Sequence, residues 1–146
     1  MREIKFRGIR EKTGEWVYGY LVMREEPFLH DIVSPIGNQS SCTWAIKRGS
    51  EGQYTGLKDK NGVEIYEGDI EQAENGDKNV IVFLLKAGTY CVMPMDIYLN
   101  NDYQNESFFP DFIYGFGYDL FFDNCTPDKY LNIIGNIYEN PELLEG

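Results

Sequence analysis

The sequence predicts a mostly β protein, of the small-barrel or sandwich type, with little helix. Short apolar runs recur about every 8–12 residues and are separated by turn residues, which is the strand spacing of such folds. The chain has 146 residues, 15 glycines and 15% aromatic residues, a balance that favours strands and turns over long helices. A chain of this length is one domain, or two small lobes that share a core.

Residues 1–50 are predicted to form an N-terminal β lobe. The run 4–7 alternates apolar and basic residues, as a half-buried first strand does, and 16–22 is rich in β-branched and aromatic residues. Turn chemistry at 12–15 joins them as a hairpin or meander. Two further strands and a candidate linker are predicted at 31–33, 42–46 and 48–52.

Residues 51–146 form the second predicted region. Asn61-Gly62 adopts the positive φ angles of a tight hairpin readily, and it lies between apolar runs at 53–57 and 63–66. The run 80–85 is apolar on both faces, which predicts a central strand that is covered on both sides. The other predicted elements are strands at 70–72, 89–93 and 130–138, a short helix from Asp96, and a helical turn that Asn140 caps and Pro141 opens.

Charge is distributed unevenly along the chain. The formal net charge is −11, yet residues 1–60 carry ten Lys/Arg against eight Asp/Glu, whereas residues 61–146 carry three against sixteen. An acidic half of this kind cannot neutralise phosphates, so direct nucleic-acid binding is not expected. The excess either keeps the protein soluble or presents a negative surface to a basic partner.

The chain is expected in the cytoplasm. Its first residues contain no apolar segment of the kind that a secretory signal needs, and no apolar run approaches the ~20 residues of a membrane span. The three cysteines (Cys42, Cys91, Cys125) are odd in number and widely separated, so they do not indicate a disulfide framework.

Four stretches of the sequence resemble the YopX-like family of phage and prophage proteins in order and spacing. They are Lys5-Phe6-Arg7-Gly8, then 14–21, the long central stretch 52–70, and 134–144 near the end. The matches cover nearly the whole chain and are weakest at 23–48 and 96–127. Ser50-Glu51 stands where the family usually has Thr-Val before the central stretch.

The resemblance implies a β-rich fold with an SH3-like barrel in the C-terminal two thirds of the chain, packed with the N-terminal β lobe. The aromatic-rich stretch near 96–127 then corresponds to an insertion. The resemblance also implies origin in a mobile element and action inside a bacterial host cell. It carries over no activity, cofactor or catalytic residue, so we expect no cofactor.

Two groups of residues are candidate interaction surfaces. Glu64, Glu67 and Asp69 form the densest group of carboxylates, beside the aromatic ring of Tyr66, and Tyr66, Glu67 and Asp69 are the candidate surface residues; Gly68 and a capping Asp69 explain the same pattern as a bend. The stretch 108–122 holds eight large rings, which either cover one face of the barrel or form a surface for self-association or a partner. Those named as a surface are Phe108, Phe109, Phe112, Tyr114 and Phe116.

Other chemistry has little support in the sequence. The chain has a single histidine, His30, and no phosphate-cradling glycine motif, so serine-triad, Cys–His, zinc and nucleotide sites are not expected. The segment Asp59–Glu64 faintly resembles a calcium loop, but its glycine comes fourth rather than sixth, which favours a hairpin.

Three hypotheses for function follow. The first is a non-enzymatic phage or prophage accessory protein that acts by contact with a protein partner or with itself. The second is an acidic mimic of nucleic acid that occupies the binding site of a basic host protein, which requires acids arranged on one face. The third and weakest is a hydrolase that uses Glu67 and Asp69.

Overall fold

The computed structural model of the chain describes residues 1–25, 30–36, 40–85, 87–100, 103, 104, 114, 115 and 127–145. Within these residues the protein is mostly β with few helices, as predicted, and the strands form two open antiparallel sheets. The SH3-like barrel therefore stays a prediction. The chain divides into two compact units, Met1–Gly56 and Leu57–Gly146, called here the N-terminal and C-terminal units.

The N-terminal unit is an antiparallel meander in which the strands lie in the order β4-β3-β2-β1-β5. Consecutive strands pair because the turns between them are short and glycine- or polar-rich. Each predicted strand of this region is present. The strands are β1 (Phe6–Ile9), β2 (Trp16–Met23), β3 (His30–Ile36), β4 (Ser40–Ala45) and β5 (Gly52–Lys58).

The segment after β4 returns to the end of β1. Ile46 forms an isolated bridge with Arg10, and the Lys47 amide donates to the carbonyl oxygen of Ile9. A β-carbon on Gly8 would lie 2.5 Å from Cδ1 of Ile46, so only glycine fits there. In the predicted linker, Ser50 is buried and its hydroxyl oxygen accepts the Ile9 amide. This hydrogen bond holds the linker against β1 just before β5 begins at Gly52.

Cationic side chains lie over aromatic rings in this unit. The Arg7 guanidinium is 4.5 Å from the Trp16 ring centroid, and the Lys5 ammonium is 4.9 Å from the Tyr54 ring. Such contacts contribute roughly 0.5–2 kcal/mol each, more where the pair is desolvated. Because Arg7 is only 7% exposed, the first family-like motif forms a buried structural contact.

The C-terminal unit is built on a sheet in which the strands lie in the order β10-β9-β8-β7-β11. β5 ends in this unit, where its hydrogen-bonded neighbour is β6. Its described residues also form two short helices and a 3-10 helix. The elements are β6 (Glu64–Tyr66), β7 (Asp69–Gln72), β8 (Lys78–Leu84), β9 (Thr89–Pro94), α1 (Met95–Asn100), β10 (Tyr114–Gly115), α2 (Pro127–Tyr130), β11 (Ile133–Asn136) and the 3-10 helix Pro141–Leu144.

The core of this unit lies on one face of the sheet. Val80, Val82 and Leu84 of β8 pack there with Ile70, Cys91 and Met93. Ile81 points to the opposite face and is also fully buried, which confirms that β8 is a central strand covered on both sides. Burial raises the pKa of the Cys91 thiol to about 11, so this cysteine is protonated and unreactive at neutral pH.

Two expectations near the C-terminus were wrong. The predicted strand 130–138 is only Ile133–Asn136, because Tyr130 closes α2 and residues 137–139 form a turn. Asn140 precedes the 3-10 helix, with Pro141 at its start as predicted, but its side chain does not cap that helix. It accepts the Asn136 amide instead, at 3.3 Å.

Replacing Gly68 with alanine should destabilise the protein more than the same change at Gly76. Both glycines have left-handed backbones, with φ of +84° and +93°, so each alanine costs about 1–2 kcal/mol. At Gly68 the new β-carbon would also lie 3.2 Å from Cε2 of Tyr138, whereas nothing lies within 4 Å at Gly76. We expect G68A to lose about 1 kcal/mol more than G76A in urea unfolding. Equal losses would contradict the crowding at Gly68.

Candidate functional site

The structure places Tyr66 and Asp69 in a tight bend between β6 and β7. Each is 2% exposed, and the Tyr66 amide donates to the Asp69 carboxylate at 2.7 Å. The Tyr66 hydroxyl donates to Glu64 at 2.9 Å. The Asp69 carboxylate therefore satisfies a backbone N–H in a buried turn, as the simpler interpretation of this group expects.

Glu67 is the more accessible member of the predicted group and lies close to Tyr98 of α1. Burial raises the pKa of the Tyr98 phenol, and the negative charge of Glu67 raises it further. Tyr98 in turn stacks on Tyr103, with ring centroids 5.7 Å apart. The charge of Glu67 in the β6–β7 bend therefore acts on a side chain of α1.

The predicted aromatic surface cannot be placed in the same way. Phe108, Phe109, Phe112 and Phe116 lie outside the described residues. The backbone of Tyr114 lies in β10, where it pairs with Val92 of β9. An interaction surface at these rings stays a prediction.

The carboxylate of Asp59 organises the loop between β5 and β6. The sequence does not single it out as a site. Asp59 is 2% exposed. One of its oxygens accepts the amides of Asn61 and Val63 at 2.8 and 2.9 Å, which is the side-chain-stabilised turn that aspartate favours. Its other oxygen accepts the Ile133 amide of β11 at 3.0 Å. The hairpin interpretation of this segment is thereby supported over the calcium loop.

Further hydrogen bonds join the same loop to the chain around β11. The Lys60 amide donates to the Leu131 carbonyl oxygen at 3.0 Å, and the Asn61 side-chain amide donates to Asn132 at 3.0 Å. The central family-like stretch and the residues beside the C-terminal one therefore form a single junction in the C-terminal unit. We call the contacts of Asp59, Lys60 and Asn61 with residues 131–133 the Asp59 junction.

A second side-chain-stabilised turn follows β11. The Asn136 side-chain oxygen accepts the amides of Tyr138 and Glu139, both at 3.0 Å, and its amide donates to Glu139 at 2.8 Å. The Ile137 amide donates to the Gly68 carbonyl oxygen at 2.9 Å, which ties this turn to the β6–β7 bend. The C-terminal family-like stretch thus has a structural role as well.

Glu71 of β7 is a buried carboxylate close to the Asp59 junction. It is 3% exposed, pairs with Ile133 in the strand register, and accepts the side-chain amide of Asn79 at 2.7 Å. Burial raises the pKa of Glu71, and this effect outweighs the opposing effects of the Asn79 hydrogen bond and the Lys60 charge. Glu71 is thus a buried acid on the sheet whose side-chain partner is the amide of Asn79.

The residues that commonly form active sites are otherwise held in structural contacts. His30 lies 3.0 Å from Glu51, whereas the neighbouring Asp31 pairs with Arg24 at 2.8 Å, so His30 and Asp31 do not act as a couple. Within the described ranges no three His, Cys, Asp or Glu side chains are close enough to hold a metal ion. No helix among these residues has the length and apolar character that a bilayer span needs.

The C-terminal unit carries an open groove where β8 begins and α1 starts. The groove has a volume of about 750 Å³. Its apolar lining consists of Pro94, Met95, Leu99 and Leu143, of which Met95 is buried and Leu99 is 48% exposed. We call it the α1 groove.

Two carboxylates give the α1 groove its charge. Asp77 and Asp96 line it and are both exposed. Lys78 also lines it and donates its ammonium group to the Leu143 carbonyl oxygen at 3.2 Å, so it offsets one of the two negative charges. The groove therefore combines an apolar surface with a net negative charge, which suits a segment that carries both apolar and basic side chains.

No pattern in the sequence indicates the α1 groove. Its lining comes from three separate parts of the chain, which are residues 76–79, residues 94–100 and Leu143 of the 3-10 helix. Asp96 lies in the first turn of α1, where the short helix was predicted, and Asp77 directly precedes β8. Only the folded sheet brings them together.

Comparison with known proteins gives a family and a fold. The family model described as YopX protein matches residues 5–145. The chain is also similar to the crystal structure of protein EF1440 from Enterococcus faecalis. The two sequences are 23% identical, the match covers 99% of each of the two chains, and the TM-score is 0.46. None of the curated proteins matches the chain.

Replacing Asp59 with asparagine should destabilise the protein by about 1–3 kcal/mol, because an amide group would face one of the three backbone donors and leave it unsatisfied. Burial opposes ionisation of Asp59, but its hydrogen bonds outweigh that effect and lower its pKa. Its contribution is thus present above the unfolded-state pKa near 3.8 and is lost as the pH falls through the folded-state value. Urea unfolding against pH measures this.

The matched control for D59N is D128N, which makes the same change at an exposed aspartate of α2. D128N should unfold like the wild type. Hydrogen exchange at the Ile133 amide should be faster in D59N only. Unchanged exchange there would contradict the proposed role of the Asp59–Ile133 hydrogen bond.

Replacing Glu71 with glutamine should stabilise the protein at neutral pH and have little effect near pH 4. Because burial raises the pKa of Glu71, its contribution to stability is fully present below the unfolded-state value near 4.5 and is lost as the pH rises through the folded-state value. Glutamine keeps an acceptor for Asn79 without the buried charge. A tenfold change in the acid dissociation constant corresponds to about 1.4 kcal/mol, which sets the scale of the expected gain. E74Q, at an exposed glutamate, is the control, and a less stable E71Q at pH 7 would refute the prediction.

Proposed function

The chain belongs to the YopX family, and we propose its function from the structure because the family carries over no activity. The protein is a non-enzymatic interaction module that binds a segment of a protein partner in the α1 groove. The observation that carries the proposal is the groove itself, in which Leu99 and Met95 lie beside Asp77 and Asp96. A partner segment with an apolar side chain next to a lysine or arginine would bury the first and pair the second.

The proposal is also supported by where the other candidate residues lie. Asp59, Asp69 and Glu71 are each 2–3% exposed and hold backbone or side-chain donors. A catalytic carboxylate has to reach a substrate, whereas these three are buried and hydrogen-bonded within the unit. Glu67 and Asp69 are consequently weak candidates for a hydrolase.

The same burial disfavours the acidic mimic of nucleic acid. That function needs acids exposed on one face at phosphate-like spacing. Three acids of the C-terminal unit are buried, and Glu64 and Glu139 accept hydrogen bonds from Tyr66 and Asn136. The remaining negative charge still attracts a basic partner, so we keep electrostatic attraction as part of the binding and not as its whole basis.

We further infer that the protein acts in the cytoplasm of a bacterial host as an accessory protein of phage or prophage origin. Its acidic composition and its widely spaced cysteines support that compartment. No nucleic acid or membrane is part of the proposal.

Selection of displayed random peptides on the purified protein tests this function. Peptides that bind should be enriched in lysine or arginine next to an apolar residue. A synthetic peptide from the selection should bind L99N roughly tenfold more weakly than the wild type, since burial of an apolar side chain is worth about 1.5 kcal/mol or more.

The matched control is L85N, which changes another exposed leucine, 71% accessible, outside the groove. L85N should bind the peptide like the wild type. Equal losses in L99N and L85N, or selected peptides that are acidic, would refute binding in the α1 groove.

A further inference from the structure

The N-terminal unit presents an exposed surface whose chemistry matches that of the α1 groove. Residues 1–5 precede β1 without regular structure, and Arg2 and Ile4 are exposed, Ile4 to 56%. Tyr18 and Tyr20 of β2 line the same shallow surface and are 46% and 59% exposed. We call Arg2, Ile4, Lys5, Tyr18 and Tyr20 the Ile4 surface.

The strand register explains why the Ile4 surface is exposed. Side chains alternate along β2, so Tyr18 and Tyr20 share one face with Val22, and all three are at least 40% exposed. Contiguous exposed apolar groups on a folded protein usually mark a binding surface. Ile4 extends this stripe onto the segment before β1.

Arg2 and Lys5, which outnumber the exposed Glu3 that also lines the Ile4 surface, give this surface an excess of positive charge. The aliphatic stem of Arg2 lies against Gly56, where a β-carbon would be 3.0 Å from its Cγ, so the absence of a side chain gives Arg2 its place. Lys5 lies over Tyr54 and 3.5 Å from Glu3. The surface thus offers an apolar side chain flanked by cations, which is the combination that the α1 groove accepts.

The charges of the two units favour contact between unlike surfaces of two copies. The N-terminal unit holds eight Lys/Arg against seven Asp/Glu, whereas the C-terminal unit holds five against seventeen. Two C-terminal units repel each other, so the part of a second copy that an α1 groove attracts is its N-terminal unit.

We propose that the α1 groove of one copy binds the Ile4 surface of another, so that copies of this chain associate head to tail. The proposal rests on the proposed function of the groove and names its partner as a second copy. Association of this kind is heterologous, because the two contacting surfaces differ.

Sedimentation velocity over a concentration series tests the association. The average mass of the wild type should rise with concentration at about 0.05 M salt and fall back towards the monomer at about 0.5 M, because salt screens the charges. The double variant D77K/D96K, with its groove charge reversed, and the double variant R2E/K5E, with its surface charge reversed, should each remain monomeric.

A mixture of the two double variants is the decisive experiment. The basic Ile4 surface of D77K/D96K fits the acidic groove of R2E/K5E, and its basic groove fits the acidic surface of R2E/K5E. The mixture should therefore form mixed dimers and longer alternating chains, although neither variant associates alone. The variant that carries all four substitutions has both charges exchanged and should associate with itself again.

Matched controls keep the net charge equal. E74K/D128K reverses an exposed turn acid and an exposed first-turn helix acid outside the groove, and K12E/R48E reverses two exposed cations outside the Ile4 surface. Both controls should associate like the wild type. Circular dichroism checks that each variant folds. If R2E/K5E does not fold, I4N takes its place, and I4N is again expected to be a monomer.

A wild type that is monomeric at every concentration overturns the proposal, as does association that E74K/D128K weakens as much as D77K/D96K. Failure to form mixed dimers between folded double variants also overturns it. If peptides still bind the groove in any of these cases, the proposed function stands and only the identity of the partner is wrong.

Discussion

The buried carboxylate of Asp59 is the interaction on which the C-terminal unit depends most. Its two oxygens accept three backbone amides, and one of these belongs to a residue 74 positions later in the sequence. A neutral or displaced side chain at this point would leave buried donors unpaired, each at a cost of about 1–3 kcal/mol. The Lys60 and Asn61 contacts then extend the same junction, and the Gly68–Ile137 hydrogen bond fixes the next bend.

This arrangement gives the family-like stretches a physical meaning. Arg7 packs on Trp16, Asp59 closes the central loop, and Asn136 closes the turn after β11. Each is a polar or charged side chain that satisfies backbone or ring partners in a buried place, which explains why such residues occur in strands and turns. The family-like stretches therefore contribute to the fold of the chain more than to its binding.

The residues of the proposed binding groove are different ones. The groove is lined by Asp77, Asp96 and Leu99, which lie between the central and C-terminal family-like stretches. Their side chains are exposed and do not belong to the buried contacts that hold the fold. The described acids of the C-terminal unit consequently include two classes, buried ones such as Asp59 that hold the fold and exposed ones such as Asp77 and Asp96 to which the proposed function assigns the attraction of a partner. Net charge alone does not distinguish these classes, because it counts both equally.

The sequence by itself determined the mostly β fold, the central strand β8, the turns at Asn61-Gly62 and Gly68, and the short helix α1, because each follows from local periodicity or from backbone freedom at glycine. It could not determine how far β11 extends, what Asp59 binds, or that the turn before β8, α1 and the 3-10 helix line one groove. Those features come from contacts between residues distant in the chain. Only the tertiary structure decides them, since no local pattern records which segments will meet.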